Sequence, residues 1–206
     1  MDFVGFPKIP RYSRECVITE KIDGTNAQIY IPTEQDRLCN LLRVTEDNRI
    51  RLGEDRVVPF LCGSRSRWIF PENDNHGFAK WAYENAEELL RLGPGRHFGE
   101  WWGQGIQRGY GLKEKRFSLF NIKRWADDAV RPACCHVVPV IVTGTFAVPV
   151  SEDKTIVDVA LSLLRDKGSF AAPGFMKPEG VIIYHVAGNI LFKKTLEDDE
   201  KAKTEA

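Results

Sequence analysis

Short apolar runs alternate with turn residues along most of this chain, and the runs are rich in β-branched and aromatic residues. "ECVIT", "AQIYI", "RHFGEWW", "RFSLFNI", "VVPVIVTGTF", "GVIIYH" and "NILFKKT" therefore read as strands. The stretch "HVAGN" joins the last two, and its Gly188-Asn189 pair marks a hairpin. Two other segments follow a helical period. In "HGFAKWAYENAEELLRLG", Phe78, Trp81, Ala82, Ala86, Leu89 and Leu90 share one face, and Gly93 ends the helix. In "SEDKTIVDVALSLLRDKG", Ile156, Val159, Ala160, Leu163 and Leu164 form the apolar face. Thr155 with Asp158 there resembles a capping box, and Gly168 follows the last turn. The pattern predicts one α+β domain over residues 1–198, built on antiparallel sheets flanked by helices. A polar tail, 199–206, is expected to fray, and no separate C-terminal domain is expected.

Composition narrows the partners. The 206 residues are 43% apolar and 28% charged, as in an ordinary globular protein. The 29 basic residues balance 29 acidic ones, so attraction to nucleic acid has to be local. Five cysteines, with no CxxC pair, fit a reducing cytoplasm better than a disulfide framework or a zinc site. The opening "MDFVGFPKIP" has no basic region followed by an apolar core, so it does not read as a signal peptide. No apolar run approaches the ~20 residues of a membrane span, and no membrane partner is expected.

The candidate chemistry starts at "EKIDGTN". Lys21 stands at the mouth of a turn, directly after the β-prone run "CVIT". Alone, such a lysine is ordinarily a solvated surface charge. Five further charged or aromatic motifs follow in order: "CGSRSRW", "HFGEWWGQGIQRGYG", "FSLFNI", "KPEGVIIYH" and "ILFKKTLED". Charges at strand positions are costly when buried without partners. Interleaved with apolar residues, they predict a polar cleft between sheets.

"EKIDGTN", "FGEWWGQGIQ", "PEGVII" and "LFKKT" together resemble the covalent nucleotidyltransferase superfamily of ATP-dependent ligases and mRNA capping enzymes. The pattern is most similar to the phage-type RNA ligases, in the branch that seals nicks in duplex RNA. The matching order runs from about Phe6 to Asp198. The resemblance implies an ATP-grasp-like adenylation core, ATP and Mg2+ as cofactors, and RNA ends as the substrate. With no C-terminal domain to grip nucleic acid, an auxiliary protein could supply affinity. A small DNA ligase and a non-catalytic nucleotide-binding module are the alternative readings.

The same resemblance assigns roles. Lys21 would attack the α-phosphorus of ATP. A free lysine has a pKa near ~10.4, so the neutral amine has to be favoured by nearby cations or desolvation. Lys193 and Lys194 would supply that positive field. Being adjacent on a strand, they point to opposite faces, and Lys193 is preferred. Glu20 would help read the adenine edge through its backbone carbonyl or its side chain. Asp23 and Gly24 would shape the turn, and both tolerate left-handed backbone. Asn26 would lie near the sugar and phosphates. Arg65, with Arg67 as its rival, would contact ribose or phosphate. Glu100 would accept hydrogen bonds from the ribose hydroxyls. Phe120, with Phe117 as its rival, would stack on adenine. Glu179 would bind the metal, because magnesium needs only one or two carboxylates beside its waters.

Overall fold

The computed structural model of the chain describes residues 2–39, 42–151, 153–197 and 199. It divides into two compact units, Met1–Ile22 with Pro139–Ala206, and Asp23–Val138. The first unit begins with strand β1 (Glu15–Lys21). The chain then builds the second unit from β2 (Thr25–Ile31), α1 (Glu34–Leu38), β3 (Ile50–Leu52), β4 (Arg56–Val58), β5 (Leu61–Gly63) and β6 (Trp68–Ile69). That unit continues with α2 (Phe78–Glu84), α3 (Ala86–Leu90), β7 (Gly95–Gly103), β8 (Lys115–Leu119), α4 (Ile122–Trp125) and β9 (Cys135–Val137). The first unit is completed by β10 (Val140–Thr145), β11 (Pro149–Ser151), β12 (Lys154–Thr155), α5 (Ile156–Lys167), β13 (Gly180–His185) and β14 (Ile190–Thr195).

In the first unit the sheet order is β10-β1-β13-β14, antiparallel throughout. Alternate residues Cys16 and Ile18 of β1 and Val181 and Ile183 of β13 bury against Ile156, Ala160, Leu161 and Leu164 of α5. The predicted helix face is thus shifted slightly: Leu161 is buried, while Val159 and Leu163 are half-buried. The capping box forms as expected. Asp158 accepts from the Thr155 amide at 2.8 Å, and Thr155 Oγ1 accepts from the Asp158 amide at 3.4 Å. The predicted hairpin joins β13 to β14, with Asn189 at φ 49° in its turn.

The second unit is a six-stranded sheet of order β6-β5-β2-β7-β8-β9. It is antiparallel except that β8 and β9 pair parallel, which departs from the purely antiparallel expectation. Ala27 and Ile29 of β2, Trp101 of β7 and Phe117 and Leu119 of β8 join Phe78, Ala82 and Leu89 in its core.

Three predicted elements are interrupted, each for a local reason. "VVPVIVTGTF" is not one strand, because Pro139 has no N–H to give a ladder and separates β9 from β10. The helix expected over 76–93 is two short helices. At Asn85 the backbone leaves helical geometry (φ −109°, ψ 24°), and the side-chain amide donates to the Trp81 carbonyl at 2.8 Å. "RFSLFNI" ends as a strand at Leu119. Asn121 caps α4 instead, accepting from the Arg124 amide at 3.1 Å. Of the predicted tail 199–206, only Asp199 is among the described residues; it accepts from the Thr195 amide at 2.8 Å. No helix among the described residues is long and apolar enough to cross a membrane.

Candidate active site

Lys21 is the last residue of β1 and is paired with Gly180, the first of β13. That register brings its ammonium onto the carboxylate of Glu179, with which it forms an ion pair. The Glu179 side chain is 4% exposed and that of Lys21 18%, so the amine keeps a path to solvent while its counter-charge is buried. Gly180 is required by close packing. A Cβ there would lie 2.2 Å from the Lys194 carbonyl oxygen and 2.7 Å from Thr195 Cα.

Glu20 points the other way, into the unit. Its carboxylate accepts from Ser169 Oγ at 2.7 Å and from the amides of Phe170 and Ala171 at 2.7 and 2.9 Å. Burial pushes this carboxyl above the usual carboxylate range, opposed by the hydrogen bonds from Ser169, Ala171 and Phe170. The side chain offered as an adenine reader thus clamps residues 169–171 to β1, the strand that ends at Lys21. Nothing in the sequence around "GSFAA" signalled this clamp.

The ladder also separates the two lysines of β14. Directly paired residues in an antiparallel ladder share a face. Lys193 pairs with Ile182, which pairs with Thr19, two residues from Lys21. Lys193 and Lys21 therefore share one face of the sheet. Lys194 pairs with Val181, on the face covered by α5, and donates to Asp199 at 3.1 Å. The two lysines thus point to opposite faces, as expected of neighbours on a strand, and Lys194, named with Lys193 as a source of positive field, is the one that does not share Lys21's face.

In the second unit, β2 and β7 set Asn26 opposite Glu100. Glu100 is 9% exposed; it accepts from the Gly24 amide at 3.2 Å and from Asn26 Nδ2 at 3.1 Å. Gly24 does not adopt left-handed backbone, contrary to the turn chemistry expected of it. It is needed because a Cβ would lie 2.5 Å from the Trp101 carbonyl oxygen and 2.7 Å from Trp102 Cβ. Asp23 accepts from Arg108 Nε at 3.0 Å, and its amide donates to the Tyr110 hydroxyl at 2.8 Å. The sequence marked Arg108 and Tyr110 only as part of the basic-aromatic stretch "RGYGLKEKRF", a candidate nucleic-acid contact or solvated loop, and gave neither a role beside Asp23. The signal available was the glycine-rich "GQGIQRGYG", which takes positive φ at Gly103, Gly105, Gln107, Gly109, Tyr110 and Gly111.

The rival aromatics and arginines also separate. Phe117 is fully buried, with its ring 5.0 Å from that of Phe78. Phe120 is 41% exposed, just past the end of β8, and its amide donates to the Phe98 carbonyl at 2.9 Å. Arg67 is engaged with the Asn73 carbonyl at 2.9 Å, whereas Arg65 stands exposed in the bend after β5. No group of three or more His, Cys, Asp or Glu that could hold a metal ion occurs among the described residues. An open pocket lined by Ile31, Pro32, Asn48, Arg49, Leu90 and Pro94 includes none of these site residues.

The profile of the RNA ligase family matches residues 14–196, from the root of β1 to just beyond β14. The chain belongs to the RNA ligase family. Solved structures of an RNA ligase from Naegleria gruberi share its fold. A mutant with ATP and Mn aligns at a TM-score of 0.54 and 18% identity, over 90% of this chain and 51% of that one. An apo mutant aligns at 0.54 and 18%, over 88% and 49%. Another mutant, with AMP and Mn, aligns at 0.50 and 17%, over 89% and 50%. The chain spans about half the length of these structures. No curated protein matches it.

The Glu20 clamp predicts a pH dependence. A carboxyl raised in the folded state binds its proton more tightly there than in the unfolded chain. Its contribution to stability is full below the ordinary value of about 4.3 and is lost as pH rises through the folded-state value. Glu20→Gln does not titrate. Urea unfolding of both proteins from acid to neutral pH should show the stability of wild type relative to the variant falling as pH rises. A difference independent of pH would contradict the clamp's electrostatics.

Proposed function

We propose that this chain is the adenylating core of an ATP-dependent RNA ligase of the phage type, acting in a reducing cytoplasm. The observation that carries the reading is the Lys21–Glu179 ion pair at the end of β1, within a chain that matches the RNA ligase family over residues 14–196. Lys21 Nζ attacks the α-phosphorus of ATP. A P–N bond forms, the bond to the β-phosphate oxygen breaks, and pyrophosphate leaves. The ammonium gives one proton to solvent before the attack and a second as the P–N bond forms, and it leaves its contact with Glu179. An oxygen of a 5′-phosphate on RNA next attacks the lysyl-bound phosphorus and frees the amine. A 3′-hydroxyl then attacks the activated 5′-phosphate and releases AMP.

Each remaining side chain has a task in this scheme. Lys193, on the nucleophile's face, stabilises negative charge developing on the phosphates. Glu100, oriented by Gly24 and Asn26, accepts from ribose hydroxyls with its remaining lone pairs. Asn26 and Arg65 serve the sugar and phosphates, and exposed Phe120 offers its ring to adenine. Glu179 gives one hard oxygen, which fits magnesium, an ion content with one or two carboxylates beside water and phosphate oxygens. Bound there, Mg2+ supplies Lewis-acid neutralisation of the triphosphate. The ATP and manganese in the Naegleria gruberi structures support this choice of ligands.

Two experiments test the proposal. Sealing of nicked duplexes with ATP and Mg2+ should be efficient where the 3′-hydroxyl end is RNA and poor on all-DNA nicks, since a protein can use the 2′-hydroxyl to tell them apart. Equal sealing of all-DNA nicks would make the protein a DNA ligase, and no sealing with intact fold would favour a binding module. Separately, Lys193→Ala should slow protein–AMP formation by about 10²-fold or more, the typical loss of one transition-state charge donor. Lys194→Ala should change it only a few-fold. The reverse ranking would contradict the assignment of faces.

A further inference from the structure

Residues 2–14, which precede β1, form neither helix nor strand and are exposed throughout. Large apolar side chains stand in solvent there: Phe3 at 95% exposure, Phe6 at 86%, Ile9 at 75% and Tyr12 at 68%. These four are spaced three residues apart, and Val4, 89% exposed, stands outside the series. Lys8, Arg11 and Arg14 repeat at three residues too, one register over. Pro7 and Pro10 restrict φ to the range of the polyproline II helix, which has three residues per turn. In that conformation the segment carries an apolar, largely aromatic ridge and a separate basic ridge. It is also tethered. The Arg14 carbonyl accepts from the Phe146 amide at 2.8 Å, His185 Nε2 lies 2.8 Å from the Tyr12 carbonyl, and the Tyr12 ring meets Phe146 edge-on at 5.3 Å.

We propose that residues 3–14 are an RNA-gripping arm that takes an unpaired strand flanking the end to be joined. The inference rests on the ligase reading and adds to it where the nucleic acid is held. Charge complementarity decides the partner. The chain as a whole is neutral, yet this segment holds three cations against one acid, Asp2. Regularly spaced cations follow a phosphate backbone, and aromatic faces stack on unpaired bases of any sequence. A proline-reading protein groove would use the Pro7-x-x-Pro10 face, whereas a cation at every third residue over 8–14 matches the repeated phosphates of a nucleic-acid strand. The geometry sets distances as well. At ~3.1 Å per residue the arm spans about 40 Å. Its root lies at the opposite end of β1 from Lys21, about 20 Å away at ~3.3 Å per residue. The arm thus holds RNA several nucleotides from the reacting phosphate.

The test uses the full chain with Phe3→Ala/Phe6→Ala and Lys8→Ala/Arg11→Ala. All four side chains project into solvent, so thermal unfolding should be unchanged in both variants. Binding of an unstructured single-stranded RNA long enough to span the arm is followed by anisotropy across a salt titration, beside protein–AMP formation. The aromatic variant should bind about tenfold more weakly, the effect of one or two lost stacks. The basic variant should lose affinity and also flatten the salt slope by about 1.4, at ~0.7 per single-strand phosphate contact. Protein–AMP formation should stay at the wild-type rate in both. Wild-type affinity and slope in both variants would overturn the arm and point to a protein partner for the segment. Failure of the wild type to form protein–AMP or to seal a nick would defeat the ligase reading instead, and the binding curves would still decide the arm.

Discussion

An amine at the end of a strand, set against a buried carboxylate, is the contact on which the rest of the structure turns. Glu179 is almost fully buried, and a buried carboxylate without a partner is strongly destabilising. Lys21 supplies that partner from 158 residues away along the chain. The contact exists only in one register of β1 on β13. A slip of one residue would turn Cys16 and Ile18 out of the α5 core and carry Lys21 to the wrong face. Packing under α5 therefore sets the position of the amine, and the Glu20 clamp on residues 169–171 ties the same strand to the loop that follows the helix.

The second unit solves a similar problem with a two-faced sheet. Ala27, Ile29, Trp101 and Phe117 fill the core from one side. Asn26, Glu100 and Ser118, in direct register on three neighbouring strands, carry polar groups on the other. Glu100 is held by a backbone amide and a side-chain amide at once, so its carboxylate is oriented before any ligand arrives. Gly24 makes that possible by letting β2 approach β7 where any Cβ would strike the Trp101 carbonyl.

Much of this was legible in the sequence wherever the cause is local. Most of the predicted strands, the hairpin at Gly188-Asn189 and the Thr155–Asp158 cap depend on residues close in the chain, and they form where the pattern puts them. Pro139 and Asn85 were legible in kind, yet long apolar or periodic runs around them masked their effect. Lys193 was preferred to Lys194 and Phe120 to Phe117, yet the geometry that separates each pair was not legible. For the lysines it turns on which face of β14 follows Lys21, and for the phenylalanines on where β8 ends, and both are set by partner strands far away in sequence. The positions of Ser169, Arg108 and Tyr110 depend on such long-range contacts as well.

The most direct measurement is to locate the AMP. The full chain is incubated with ATP and Mg2+, digested, and its peptides are analysed by mass spectrometry under conditions that preserve a phosphoramidate. The account predicts AMP on the peptide spanning "EKIDGTN", attached to Lys21, and on no other lysine. AMP attached to Lys193 or any other residue, or no adduct on a folded protein, would contradict it.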